Sequence, residues 1–188
     1  MRSQAGASPL RHRFWQAFYD RVAAFYDAVL DLGTRLGIGS ETKVRRQMFA
    51  GLPARQDAPV LEIGCGTAEN RVFLGDSQAY FGMDISRGML LRAQAKCAQK
   101  HLSASFVQAD AIALPFPREI FASAIAMGVL QHVAQPEHAL AEMRRVSKVT
   151  GEVLVIDEQR AFSRLGNLMT MNSSRIIGDY FVWRANLT

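Results

Sequence analysis

The stretch VLEIGCGTAEN, residues 60–70, joins an apolar run containing one acid to two glycines, Gly64 and Gly66. Glycines at this spacing let the chain turn sharply and approach a ligand without an intervening side chain. Two acids follow later apolar runs: Asp84, which lies 20 residues after Gly64, and Asp110. An acid at the end of the second strand can accept hydrogen bonds from ribose hydroxyls, and one at the end of the third can meet an adenine amino group. The spacing therefore predicts a nucleoside site.

Position 69 decides which nucleotide this site would accept. The dinucleotide fingerprint G-x-G-x-x-G requires a third glycine there, where a pyrophosphate meets a helix start. This chain has Glu69 instead, which argues against NAD and FAD, and it contains no Walker loop. S-adenosylmethionine is an adenosine with a sulfonium cation and no phosphate, so Glu62 and Glu69 are compatible with it. It is the cofactor that we predict.

The elements that must position these residues alternate between strands and helices. Short apolar runs follow Pro59: VLEI, AYFGMD, SFVQAD, FASAIAM and EVLVID. Helical patterns begin after Ser86 and at Pro136. This alternation predicts an α/β fold, a Rossmann-like doubly wound and mainly parallel sheet with helices on both faces. RIIGDYFVW, residues 175–183, fits either a strand or the end of a helix.

An N-terminal helical cap is predicted upstream of the sheet. Apolar residues at three- and four-residue spacing indicate an amphipathic helix; they are Phe14, Phe18, Val22, Phe25, Val29 and Leu32. A second, short helix is expected in SETKVRRQMFAGLP, residues 40–53. The aromatic side chains Phe14, Trp15, Phe18 and Phe25 favour an apolar ligand beneath the cap, and packing on the protein's own core is the alternative.

The length of 188 residues and the apolar content of 49% predict a single domain. We divide it into a flexible basic arm (1–13), the helical cap (14–52), a cofactor-binding core (53–158) and a short tail (159–188).

Two cysteines and no secretory pattern predict a cytoplasmic location. No apolar run is long enough to span a bilayer, although the basic arm could contact anionic lipid peripherally. Scattered basic residues argue against nucleic acid, and the histidine spacing predicts no metal site.

Five successive segments resemble the motifs of class I S-adenosylmethionine-dependent methyltransferases. They are VLEIGCGTAEN, GMDIS, QADAIALPFP, FASAIAMGVLQHV and ALAEMRRVSKVTGEVLVID. FYDRVAAFYDAVLDL with the later RRQMF also resembles the N-terminal segment of ubiquinone and menaquinone C-methyltransferases and related small-molecule and lipid methyltransferases. The resemblance implies methyl transfer to a small-molecule or lipid-like acceptor, with S-adenosylhomocysteine as the product.

The resemblance also implies a set of cofactor-binding residues, with His132 as a candidate general base. The set is Glu62, Gly64, Cys65, Gly66, Asp84, Ile85, Asp110, Ala111, Met127 and Tyr26. In it, residues 64–66 lie along the methionine part, and Glu62 orients this loop or reaches the amino group indirectly. Asp84 holds the ribose, and residues 85, 110 and 111 surround the adenine. Met127 and Gly128 line the methyl-donor pocket, and Tyr26 closes over the cofactor; core packing is the alternative role for Ile85, Met127 and Tyr26.

The chain departs from the pattern of these relatives at several positions. Ala68 replaces a common glycine, and Ala122 and Ser123 stand where an acid is usual. About 30 residues follow the fifth strand, where relatives continue through a helix and an antiparallel strand pair. The strand pair is therefore expected to be abbreviated, or the chain stops early and a homodimer or a partner subunit completes it.

The alternative function is a methyltransferase-like cofactor-binding or partner subunit without catalytic activity, and a nicotinamide-dependent oxidoreductase is disfavoured by Glu69. The acceptor, and the atom that receives the methyl group, stay open.

Overall fold

The computed structural model describes residues 9–35, 45–46, 49, 58–75, 78–158, 173–177 and 180–186. The helices are α1 (Pro9–Arg35), α2 (Arg87–Gln99) and α3 (Pro136–Val146), with a 3₁₀ helix at Glu69–Phe73. The strands are β1 (Val60–Ile63), β2 (Tyr80–Asp84), β3 (Ser105–Gln108), β4 (Phe121–Met127), β5 (Ser147–Glu158), β6 (Ser173–Ile177) and β7 (Tyr180–Asn186).

Within these residues, the strands form one seven-stranded sheet in the order β3-β2-β1-β4-β5-β7-β6. Strands β1 to β5 pair in parallel, and β7 and β6 continue the sheet in antiparallel pairing. The chain proceeds outward from β1 to β3 and returns to β4 on the other side of β1. A doubly wound sheet leaves a crevice at such a reversal, at the carboxyl ends of β1 and β4. The predicted fold class is confirmed.

The helices between the strands begin where their sequences predict. Ser86 caps α2, since its side chain accepts a hydrogen bond from the Met89 backbone N–H. Pro136 occupies the first turn of α3, and the buried Leu140 and Met143 face the sheet. Strand β5 follows α3 directly, since it begins at Ser147, and its pairing with β4 shifts register between Phe121 and Ser123. The strand therefore contains an irregularity near its start.

The C-terminal segment contains the antiparallel strand pair. RIIGDYFVW is divided between β6 and β7, which resolves its ambiguity in favour of strands. Strand β7 pairs with β5 from Glu152↔Asn186 to Glu158↔Tyr180, so β5 lies inside the sheet rather than at its edge. Of the two alternatives for the tail, the described residues therefore agree with a short antiparallel strand pair. Residues 159–172, where the resemblance implied a helix, lie outside the described residues.

Helix α1 differs from its prediction in two respects. It begins at Pro9 rather than at residue 14, so residues 9–13 are helical and not a flexible arm; residues 1–8 lie outside the described residues. Its large apolar residues Phe14, Phe18, Phe25 and Leu32 are exposed rather than packed beneath the cap. Of the second predicted helix, only Arg45, Arg46 and Phe49 are described, and they are helical.

None of the helices in the described part of the chain is both long and apolar enough to cross a membrane.

Candidate functional site

A cavity of about 400 Å³ opens at the crevice between the carboxyl ends of β1, β2 and β4 and is covered by α1. Nine of the predicted site residues line it: Tyr26, Gly64, Gly66, Asp84, Ile85, Asp110, Ala111, Met127 and His132. The side chains of Glu62 and Cys65 do not belong to the lining. Residues separated by more than 100 positions in the chain thus meet around one space, as parallel strands with a common carboxyl edge require.

The loop after β1 has a conformation that its glycines permit. Gly64 and Gly66 have φ values of 64° and 53°, in the left-handed region, and Ala68 adopts φ 60° at the start of the 3₁₀ helix. A Cβ atom at position 64 would lie 2.4 Å from Cγ2 of Val129, whereas one at position 66 would meet nothing within 4 Å. The loop therefore packs tightly against the β4 side at Gly64 and presents bare backbone to open space at Gly66.

Asp84 fixes this loop to the end of β2. Its Oδ2 accepts a hydrogen bond from the Gly66 backbone N–H at 2.9 Å, and its Oδ1 accepts one from the Ser86 backbone N–H at 2.8 Å. Burial raises the pKa of the carboxyl, and the backbone N–H groups oppose that rise. Each carboxylate oxygen can accept more than one hydrogen bond, so Asp84 can hold the loop and still receive a ligand's hydroxyl groups at the cavity wall.

Glu62 lies beneath the loop and is only 2% exposed. Its Oε1 accepts from Asn70 Nδ2 at 2.6 Å, and its Oε2 accepts from the Tyr80 hydroxyl at 2.6 Å. Burial raises its pKa to about 7, against the opposing effects of these two donors and of Arg45. Arg45 in turn donates to Oδ1 of Asn70. The geometry thus places Glu62 in a buried network that supports the loop rather than at the cavity surface.

Cys65 is also buried beneath the loop, with its thiol 3.7 Å from the Gly66 carbonyl oxygen. Its predicted place along the ligand can involve only its backbone, because its side chain faces the protein interior.

Glu69, whose charge argued against a pyrophosphate, forms an ion pair with Lys96 on α2. Lys96 also donates to the Thr67 hydroxyl at 2.9 Å. The negative charge at position 69 is therefore partly balanced, which the sequence did not reveal.

Asp110 and Ala111 form the wall of the cavity after β3. Oδ1 of Asp110 accepts a hydrogen bond from the Ile112 backbone N–H at 3.2 Å, which closes a tight turn. Asp110 and Ala111 line the cavity together with Asp84 and Ile85. A carboxylate acceptor beside backbone groups suits a heterocycle that carries an amino donor, such as adenine.

Aromatic side chains also line the cavity. Trp15 and Tyr19 of α1 lie with their ring centroids 4.3 Å and 6.1 Å from that of His132, in the turn after β4. Burial raises the pKa of Tyr19 to about 12, with Tyr26 and Asp84 adding to the rise, so its hydroxyl stays protonated at neutral pH. Sequence reasoning placed Tyr26 and His132 in this site and named Trp15 among the aromatic residues that favour an apolar ligand, but it missed Tyr19. The four-residue spacing of Trp15 and Tyr19 was the available signal for one common helix face.

Asp20 fastens α1 over the cavity. Its Oδ1 accepts hydrogen bonds from the Ser86 hydroxyl at 2.5 Å and from the Gly88 backbone N–H at 2.9 Å, at the start of α2. A carboxylate at a helix N-terminus is also favoured by the helix dipole. Among the described residues, no group of three or more histidine, cysteine, aspartate or glutamate side chains could hold a metal ion. The cavity lining thus combines the glycines and acids that follow the strands with aromatic rings from α1 and from the turn after β4.

Known proteins resemble the chain in both sequence and structure. The family model described as "Methyltransferase domain" matches residues 61–155. A phosphatidylethanolamine N-methyltransferase of Cereibacter sphaeroides is 36% identical over 115 residues, which are 60% of this chain and 56% of that protein. A demethylmenaquinone methyltransferase of Mycobacterium tuberculosis is 32% identical over 142 residues, which are 75% of this chain and 57% of that protein. The chain thus spans less than two thirds of the length of these relatives.

Among solved structures, a putative S-adenosyl-L-methionine-dependent methyltransferase of Methanococcus maripaludis superimposes with a TM-score of 0.74. The match covers 90% of this chain and 93% of that protein, at 13% sequence identity. At this identity the likeness concerns the fold alone.

Proposed function

The chain belongs to the methyltransferase domain family, and from this premise we propose that it transfers a methyl group from S-adenosylmethionine to a small-molecule or lipid-like acceptor. The observation that carries the proposal is that two kinds of surface line one cavity. The glycine loop and the acids Asp84 and Asp110 form one, and Trp15 and His132 belong to the other. The first suits an adenosine, and the second suits an apolar or planar acceptor.

The residues present fit S-adenosylmethionine by shape and by chemistry. Gly66 and Gly128 each have open space where a Cβ would stand, so a ligand can approach the backbone there. The buried Asp84 carboxylate would hold the ribose, with Ile85 against the adenine and Asp110 and the Ala111 backbone at its edge. Residues 64–66 would follow the methionine part, with Met127 beside the methyl group and Tyr26 above it. Glu62 would act on the ligand only through the loop.

When bound, the cofactor supplies an electrophilic methyl group on a sulfonium, which the acceptor's electron pair attacks in line as the carbon–sulfur bond breaks. The protein's own contribution is to align the two reactants and to exclude water. Helix α1, held by Asp20, provides the cover for this purpose. His132 would accept a proton where the acceptor must lose one. Tyr19, which stays protonated, would serve as a hydrogen-bond donor rather than as a base.

The aromatic lining of the cavity and the names of the relatives support the choice of acceptor class. The two relatives carry the names of enzymes for phosphatidylethanolamine and demethylmenaquinone. Rings at positions 15, 19 and 132 line the cavity together with Val129 and Val133. We therefore place a quinone-like or lipid-like acceptor there. A homodimer or partner subunit and a cytoplasmic location stay predictions from the sequence.

Calorimetric titration with S-adenosylmethionine, S-adenosylhomocysteine and NAD tests the cofactor. We expect binding of both sulfur ligands and none of NAD, and a weakening of roughly tenfold to a hundredfold in Asp84→Asn, because about two charge-assisted hydrogen bonds are lost. Glu137→Gln, on the exposed surface of α3, is the matched control and should bind normally. Absence of binding to either sulfur ligand would refute the cofactor assignment, and unchanged affinity in Asp84→Asn would refute the role of Asp84.

Transfer of a labelled methyl group tests the activity itself. Phosphatidylethanolamine and a demethylated menaquinone are the first acceptors to compare, each with wild-type protein and with Asp84→Asn. Turnover that Asp84→Asn reduces supports an enzyme of this class. Cofactor binding without turnover on these or other phenol, amine and lipid acceptors would favour a partner subunit without catalytic activity.

A further inference from the structure

Helix α1 carries an apolar face that is exposed among the described residues. The described residues expose seven large apolar side chains, and four of these lie on α1. They are Phe14 (61% exposed), Phe18 (43%), Phe25 (70%) and Leu32 (57%). Their spacing of four, seven and seven residues places them within about 40° of one another around the helix axis. These four residues form what we call the α1 stripe.

The stripe is not needed to hold α1 on the protein. The opposite face of the helix makes that contact, through the buried Ala23 and through the hydrogen bonds of Asp20 with Ser86 and Gly88. Trp15 and Tyr19 are turned toward the cavity. Single exposed apolar residues are ordinary on protein surfaces, whereas an aligned apolar row of this length marks a binding surface.

The charges beside the stripe indicate what the surface binds. Arg21 is exposed and lies about 20° outside the edge of the stripe around the helix axis, and Arg13 is exposed and lines the cavity. The Asp20 carboxylate, in contrast, is turned toward α2. The whole chain has a net charge of +5. Phenylalanine and leucine on one helix face with arginine beside them suit a helix lying in a membrane interface, where apolar side chains enter the acyl boundary and cations meet anionic headgroups.

We propose that the α1 stripe docks this protein onto the surface of an anionic lipid bilayer. The helix lies along the membrane, and its other faces remain on the protein. Because Arg13 and Trp15 of the same helix line the cavity, docking brings the cavity rim close to the headgroups, where a lipid-like acceptor can enter. This access rests on the proposed function, but docking itself requires neither cofactor nor turnover.

Co-sedimentation of the full chain with lipid vesicles tests the proposal. We compare vesicles of phosphatidylcholine alone with vesicles that also contain phosphatidylglycerol, and expect binding mainly to the second. Leu32→Gln and Phe25→Gln should each reduce the partition coefficient roughly tenfold, since each withdraws one inserted apolar side chain. Arg21→Gln should reduce it roughly fivefold and only on anionic vesicles. The matched control is Leu91→Gln on α2, because Leu91 is 55% exposed against 57% for Leu32; it should bind like wild type.

Several outcomes would overturn the proposal: no binding to anionic vesicles, equal binding to both vesicle types, or equal losses in Leu91→Gln and Leu32→Gln. A concentration-dependent dimer that Leu32→Gln abolishes, without vesicle binding, would overturn it too by showing that a second copy covers the stripe. Circular dichroism confirms the fold of each variant, and Phe14→Gln near the helix start replaces any that fails. Calorimetry with S-adenosylmethionine separates the two proposals, because normal cofactor binding with no vesicle binding refutes the docking alone.

Discussion

Replacing the buried Glu62 by glutamine should change how the stability of the protein depends on pH. Glu62 is 2% exposed, and its burial outweighs the donors Tyr80 and Asn70 and the charge of Arg45, so its pKa rises from 4.5 to about 7. A carboxyl with a raised pKa in the folded state retains its proton over a pH range in which the unfolded chain has lost it. Between pH 4.5 and about 7 the folded protein therefore holds a proton that the unfolded chain has lost. Above that range the folded protein must carry a buried negative charge.

The magnitude follows from the difference between the two pKa values. From 4.5 in the unfolded chain to about 7 in the folded protein, the difference of about 2.5 corresponds to roughly 3 kcal/mol, at about 1.4 kcal/mol per pH unit. The stabilisation by the protonated form is complete below pH 4.5 and is lost as the pH rises through about 7. Above that pH the contribution of Glu62 becomes constant.

Glutamine fits the same site without a charge. Its Oε1 can accept from Asn70 as the carboxylate does, and its amide N–H can donate to the Tyr80 hydroxyl oxygen in the reversed direction. We therefore expect Glu62→Gln to match wild type near pH 4.5 and to be more stable above pH 7 by up to about 3 kcal/mol.

Urea denaturation of the cofactor-free protein at several pH values from 4.5 to 8 measures this difference. The control is Glu142→Gln, because Arg145 lowers the pKa of Glu142 and its own loss of stability lies at more acidic pH. A pH dependence in Glu62→Gln that equals that of wild type would refute the reasoning, since the titrating group would then lie elsewhere. Lower stability of the variant at every pH would show that the carboxylate is intrinsically favourable in its network.

The remaining predictions concern the loop, the candidate base and the helix over the cavity. Gly64→Ala should destabilise the protein by about 2 kcal/mol or more in urea denaturation, because its Cβ would lie 2.4 Å from Val129 at a positive φ; Gly66→Ala, with open space around it, should cost only about 1 kcal/mol and mainly weaken cofactor binding. For an acceptor that must lose a proton, His132→Gln should lower kcat roughly a hundredfold and leave the cofactor Kd unchanged. An unchanged kcat would show that His132 only packs in the site. Asp20→Ala should cost about 1–2 kcal/mol in thermal unfolding and speed proteolysis within α1, and an unchanged proteolysis rate would show that α1 is held by other contacts.

The parts of the site that the sequence predicted best are those contributed by strand ends. The glycine loop, Asp84 and Asp110 each follow a short buried run, and parallel strands necessarily bring such positions to one edge. Their meeting depends on topology and on local spacing, both of which can be read from one chain. The cavity lining confirms their proximity, while their individual roles stay proposals.

Helix α1 shows where periodicity alone misleads. The regular spacing of Phe14, Phe18, Phe25 and Leu32 marked an apolar face, and packing inward is the usual consequence of such a face. The structure turns this face outward, because the helix has a second face with Ala23, Trp15 and Tyr19 that fits the protein more closely. Helical spacing identifies faces, but the choice between two apolar faces depends on the shape and hydrogen bonds of the surface that receives them, here the Asp20 contacts with the start of α2.

The roles of the two acids in the glycine motif, Glu62 and Glu69, depend on contacts with residues that are distant in sequence. Glu69 was the evidence against a pyrophosphate, yet its charge is shared with Lys96, which lies on α2 and could not be assigned to it from spacing. Glu62 could have pointed to the ligand or to the loop, and only the positions of Asn70 and Tyr80 decide for the loop. The backbone and the carboxylates of the motif therefore have different roles. Its backbone at Gly64 and Gly66 faces the cavity, while its carboxylates secure the backbone from behind, so a substitution at either acid should affect the ligand through the shape of the loop rather than through a lost contact.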